Sequence, residues 1–104
     1  MLSLSSTAIA MPPQKGIASW YGKENTISST GKRLTNKQPG LAHRTLPIGT
    51  KVKVVDIKTQ KSVVAIVEDR GPYIKGRIVD LNYNAAKQLG IIDKGLAQVI
   101  VKPL

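Results

Sequence analysis

The stretch Val63-Val64-Ala65-Ile66-Val67-Glu68-Asp69-Arg70-Gly71-Pro72-Tyr73 decides the fold. Its first half is a short β-branched apolar run, the composition of a strand buried on a pleated surface. Gly71-Pro72 ends the run, because proline has no N–H for a ladder and biases the residue before it away from helix. Two carboxylates and an arginine are thereby carried to the mouth of a strand, where a rigid scaffold can hold them against a cleft. Residues 68–73 are the first place to look for a site.

Working outward, residues 50–57 alternate polar and apolar, the pattern of a half-exposed strand. Lys58-Thr59-Gln60-Lys61 is a polar turn, so 50–57 and 62–69 are expected to form a hairpin. Upstream, Gly16-Ile17-Ala18-Ser19-Trp20-Tyr21-Gly22 reads as a first strand bounded by glycines. Residues 23–40 form a long loop without periodicity, a length that in a small domain points to function or mobility. Residues 41–49, which carry the only histidine, His43, have no assigned element. Downstream, 76–81 is a short strand and Asn82 an N-cap for a helix over 83–89. Gly90 stands where a C′ glycine belongs. A last strand follows at 96–101. Five or six short strands and one short helix make an all-β domain. A small closed barrel with the helix as a cap removes its sheet edges.

Composition narrows the function. A chain of 104 residues with 41% hydrophobic residues is one globular domain. With no Phe, one Trp and three Tyr, its core must be Val, Ile, Leu and Ala. The absence of cysteine excludes disulfides, thiol catalysis and cysteine-ligated metal. With a single histidine besides, neither a metal site nor a cofactor is expected. The net charge of +10 draws the protein to polyanions. Its basic residues are dispersed and not interleaved with stacking aromatics, so nucleic acid is not the expected partner. No apolar run nears the roughly 20 residues of a membrane helix. Residues 1–15 are read as a signal-peptide remnant or disordered leader, because Ala8-Ile9-Ala10 has the A-x-A form of a signal-peptidase site. Residues 16–104 are then the folded domain.

Five segments occur in order: Gly16-x-Ala18-Ser19-Trp20-Tyr21-Gly22, Ala42-His43-x-Thr45-Leu46-Pro47-x-Gly49-Thr50, Asp69-Arg70-Gly71-Pro72-Tyr73, Gly76-Arg77-Ile78-Val79-Asp80-Leu81 and Ala85-Ala86-x-x-Leu89-Gly90. Together they closely resemble the rare lipoprotein A domain, a six-stranded double-psi β-barrel related to barwin and expansins. The resemblance implies an exported or periplasmic, wall-associated protein that acts on peptidoglycan glycan strands. Its expected activity is endolytic lytic transglycosylation between MurNAc and GlcNAc, leaving a 1,6-anhydro end. The family's catalytic aspartate falls on Asp69 and its histidine on His43. Lys32 stands where the family places a glutamate, so a non-catalytic, expansin-like glycan-binding module is the alternative. Glu24 and Glu68 are the carboxylates that could substitute, although strand alternation points Glu68 away from Asp69.

Trp20, Tyr21, Lys32, Arg70 and Tyr73 are the expected substrate-binding residues. Read without the resemblance, Asp69 and Arg70 could instead be an ion pair closing the barrel, and Asp80 a turn residue or a partner of Arg77. Without a lipobox cysteine no lipid anchor is expected, and a monomer is the default.

Overall fold

The computed structural model describes residues 11–21, 26–27, 33–34 and 38–104. In chain order the elements are β1 (Gln14–Trp20), β2 (Thr26–Ile27), β3 (Arg33–Leu34), β4 (Gly40–Ala42), β5 (Lys51–Asp56), β6 (Ser62–Asp69), β7 (Arg77–Leu81), helix α1 (Tyr83–Leu89) and β8 (Ala97–Pro103). Strands β2 and β3 form a small antiparallel ribbon. The other six close into a barrel in the order β1-β7-β4-β6-β5-β8, with β8 returning to β1. Two pairings are parallel, β1 with β7 and β4 with β6. The remaining four are antiparallel. This is a double-psi β-barrel.

Residue alternation builds the core. Along β5 Val52 and Val54 are buried while Lys51 and Lys53 face out, and along β6 Val63, Ala65 and Val67 are buried. With Leu41, Val79, Leu81, Val99 and Val101 they fill an interior without a single Phe. Each buried Val or Leu side chain contributes about 1.5–3 kcal/mol. The Lys58–Lys61 turn joins β5 to β6 in an antiparallel hairpin as expected.

Helix α1 starts where the Asn82 side chain accepts the Ala85 N–H at 2.8 Å. It stops at Gly90, whose φ of 84° lets its N–H return to Ala86 and Lys87 carbonyls. The helix buries Ala85, Ala86 and Leu89 and lies over β4, β6 and β7.

Three details differ from the sequence reading. Strand β1 begins at Gln14, inside the stretch read as leader, and ends at Trp20. Tyr21 lies beyond the strand, although its N–H still reaches Leu81 O at 2.8 Å. Most consequentially, the unassigned region opens with β4, a fully buried three-residue strand between β6 and β7. Residues 1–10, with the Ala8-Ile9-Ala10 pattern, lie outside the described residues. Among the described residues no helix is long and apolar enough to cross a membrane.

Candidate functional site

Strand pairing brings the candidate chemistry together. Ser19 on β1 pairs with Asp80 on β7, Asp80 with Ala42 on β4, and Ala42 with Asp69 on β6. Four neighbouring strands thus present Ser19, Asp80, Ala42 and Asp69 as successive partners. The small Ala42 separates the two carboxyls. Register irregularities fall in this row's strands, between Leu41 and Ala42 and between Ile17 and Ala18. Such irregularities commonly re-aim side chains at the rims of barrels.

The carboxyls sit in different surroundings. The Ser19 hydroxyl donates to Asp80 Oδ1 at 2.9 Å. Burial, with the nearby negative charge of Asp69, raises the Asp80 pKa above the usual aspartate value, against the Ser19 bond and the Arg77 charge. Asp69 Oδ1 accepts the Arg70 N–H at 2.8 Å, and the Asp69 carbonyl accepts the His43 N–H at 3.1 Å. Tyr21 O–H donates to Glu68 Oε2 at 3.1 Å. Burial first, then the charges of Glu68, Asp69 and Asp80, push the phenol well above its ordinary pKa, so Tyr21 stays a donor at any physiological pH. Glu68, on the outward side of β6, is thus tied to the same cluster as Asp69 through Tyr21. Asn82 Nδ2 also reaches Glu68 Oε2 at 3.4 Å, and the carboxylate lies so close to Gly40 that a Cβ there would stand 2.5 Å from it.

Two loops frame the cluster and hold each other. From the loop after β4, Arg44 Nη1 donates to Pro72 O and Arg77 O, each at 3.2 Å. From the loop after β6, Arg70 Nη1 donates to His43 O at 3.1 Å and Leu46 O at 2.6 Å. The Arg70 guanidinium is therefore spent on carbonyls of the facing loop.

His43 is buried, with 3% exposure. Its Nδ1 accepts the N–H groups of Thr45 and Leu46, each at 3.1 Å, so the ring proton is on Nε2 and points to Gln14 Oε1 at 2.8 Å. Burial, then the charges of Arg44 and Arg70, lower its pKa. The imidazole is neutral and fixes the turn that carries it, adjoining Asp69 through the backbone.

Trp20 makes an edge contact with Tyr83, ring centroids 5.8 Å apart, and packs against the core. Tyr73, beyond the cis Gly71-Pro72 bond, is 76% exposed at the rim. Lys32 and Glu24 lie outside the described residues. Among the described residues no group of His, Cys, Asp or Glu could hold a metal ion. The residue that the sequence reading set aside is Asp80. Asp80 lies within the strand expected over 76–81, but its partner Ser19 is 61 positions away.

The chemistry available is general acid–base work by two carboxyls on neighbouring strands, in a frame of clamped loops. The fold and this site define a wall of the double-psi barrel that carries carboxyl groups. A family model described as lytic transglycolase matches residues 13–101, and the chain belongs to that family, as an RlpA-like domain. A Nostoc protein named probable endolytic peptidoglycan transglycosylase RlpA is 39% identical over 114 residues, which cover 96% of this chain and 31% of the relative. The Aquifex aeolicus protein of the same name is 41% identical, covering 86% and 41%. The endolytic peptidoglycan transglycosylase RlpA of Vibrio cholerae is 42% identical, covering 86% and 35%. The chain thus spans a third to two fifths of the length of these relatives. Among solved structures, the Streptomyces papain inhibitor superimposes with a TM-score of 0.71 at 18% identity, over 91% of this chain and 96% of that one. That likeness concerns the fold.

Proposed function

We propose that this domain is the catalytic unit of an exported, wall-associated endolytic lytic transglycosylase, acting as a monomer on peptidoglycan glycan strands. It would cleave MurNAc–GlcNAc bonds and leave a 1,6-anhydro end. Family membership and the relatives' names support the substrate. The observation that carries the chemistry is the row Asp80–Ala42–Asp69, in which a carboxyl of raised proton affinity and a second carboxyl flank one small residue.

Cleavage of this kind consumes no water. A carboxylic acid protonates the leaving glycosidic oxygen, and the resulting carboxylate takes the proton from the sugar's own 6-hydroxyl as that oxygen closes on C1. Asp69 is the acid/base in this proposal, and Asp80, whose proton affinity burial raises, is the second carboxyl of the row. His43 assists as a positioning residue: its neutral ring fixes the 43–46 turn that Arg70 clamps. Tyr73 offers an exposed ring for a sugar face. Trp20, Tyr21 and Arg70 serve the site by holding it together, through Tyr83 and the core, Glu68, and the carbonyls of His43 and Leu46. Lys32, in the place of the family's glutamate, leaves the acid–base work to the pair on β6 and β7.

The test is digestion of purified sacculi, intact and stripped of stem peptides, read by mass spectrometry. Anhydro-muropeptides that vanish in Asp69→Asn are the expected result. Sedimentation with sacculi and no anhydro product would replace the enzyme with a glycan-binding module.

A further inference from the structure

The wall of the barrel turned away from the carboxyl row has its own chemistry. On the outer face of β6, β5, β8 and β1, the pairings form three successive rows. Ile66 pairs with Lys51; Val64 with Lys53 and Lys53 with Lys102; Ser62 with Val55, Val55 with Ile100 and Ile100 with Lys15. Four lysines therefore share this face, and no aspartate or glutamate occupies any of the three rows; Glu68 lies two residues beyond Ile66 on β6, where it accepts the Tyr21 hydroxyl. Among the described residues the ion pair found is Lys94–Asp56, away from these rows, so none of the four has an acidic partner there.

The pair Lys53–Lys102 is the telling feature. Two like charges directly opposite on neighbouring strands destabilise a sheet. Lysines are often placed on strands to blunt an exposed edge, but β5 and β8 are each paired on both sides within a closed barrel. There is no edge for them to protect. A local rule broken without structural gain marks a functional surface. Lysines two apart on β5 stand about 7 Å from each other, and cross-strand neighbours about 5 Å. The interleaved Val55, Ile66 and Ile100 are partly buried, and they and the 48% exposed Val64 are shorter than the lysines, so a partner meets ammonium groups first.

We propose that this lysine face is a second docking surface, for closely spaced carboxylates such as those of peptidoglycan stem peptides, distinct from the cleft that would take the bare glycan. The identity of the polymer rests on the function proposed above; the charge arrangement does not. Such a face would hold the protein on peptide-bearing wall while the cleft works on nearby strands.

The experiment is co-sedimentation of the full chain with peptide-bearing sacculi and with amidase-stripped sacculi over a salt series. It compares the wild type with Lys53→Gln/Lys102→Gln. Expected are binding to peptide-bearing sacculi that weakens with salt, a loss of about tenfold in affinity in the double variant, and weak binding to stripped sacculi. Thermal unfolding of the variant should be no lower than that of the wild type, because the opposed charges are gone. Anhydro-product release from soluble peptide-free glycan fragments should be unchanged, which separates this surface from the cleft. Affinity unaltered by the double substitution, equal binding to stripped sacculi, or tighter binding to phosphatidylglycerol vesicles would each overturn the proposal. A protein without lytic activity that still shows the lysine-dependent binding would overturn the enzyme and leave this surface standing.

Discussion

Arg44 and Arg70 hold each other's loops: Arg44 donates to the carbonyls of Pro72 and Arg77, and Arg70 to those of His43 and Leu46. The clamp is reciprocal but unequal, because Arg44 is exposed and Arg70 half-buried. Charge-assisted bonds to buried carbonyls contribute more than solvated ones. Arg70→Ala should therefore cost about 2 kcal/mol in urea unfolding, and Arg44→Ala roughly 0.5–1 kcal/mol. The double variant should lose less than the sum, since either change frees the same pair of loops.

A Cβ at Gly40 would stand 2.5 Å from the Glu68 carboxylate, the movable end of its side chain. Gly40→Ala should therefore push that carboxylate off Tyr21 at the cost of that hydrogen bond, about 1.5 kcal/mol, a Tm fall on the order of 5–10 °C. The same displacement is readable in an ultraviolet pH titration. In the wild type Tyr21 should resist ionisation in strong alkali. Gly40→Ala should bring the phenol back toward ordinary behaviour, and Tyr21→Phe should remove the resistant transition.

His43 is held neutral, so its protonation opposes the fold. Its folded pKa lies below the unfolded value of about 6.5. Between the two, the unfolded chain binds more protons, so stability rises with pH through that window and levels off above it. Falling pH should destabilise the wild type as Nδ1 protonation breaks the bonds from Thr45 and Leu46. His43→Gln should flatten this part of the urea-stability profile. It should also lower turnover more than sacculus affinity, as a positioning role requires.

Asp80 titrates in the opposite sense. Its folded pKa is above the unfolded one, so the native state holds the extra proton in that interval. The stability this confers is full below the unfolded pKa and is lost as pH rises through the folded one. Asp80→Asn should remove that slope. In sacculus digestion it should also shift or abolish the alkaline limb of the pH–rate profile, whereas Asp69→Asn should abolish product at every pH.

Local chemistry was legible in the residues. The alternation in 50–57, the Lys58–Lys61 turn and the Asn82 and Gly90 caps each act within a few positions, and the hairpin and helix followed directly. What stayed hidden was non-local. Strand β4 is three residues long, opens on a glycine and has no outward polar face, so no period can reveal it. Its partners lie on β6 and β7. Asp80 looked like a turn residue because what raises its pKa, burial and the nearby charge of Asp69, exists only once β1, β4, β6 and β7 are assembled. Lys53 and Lys102 each read as the polar half of an alternating strand. Their opposition appears only in the register of β5 against β8.

Strand β1 is held between β7 and β8, the last two strands the chain supplies. The barrel is therefore sealed by the pairing of its first strand with its last, and Ser19 meets Asp80 only when β1 is seated between β7 and β8.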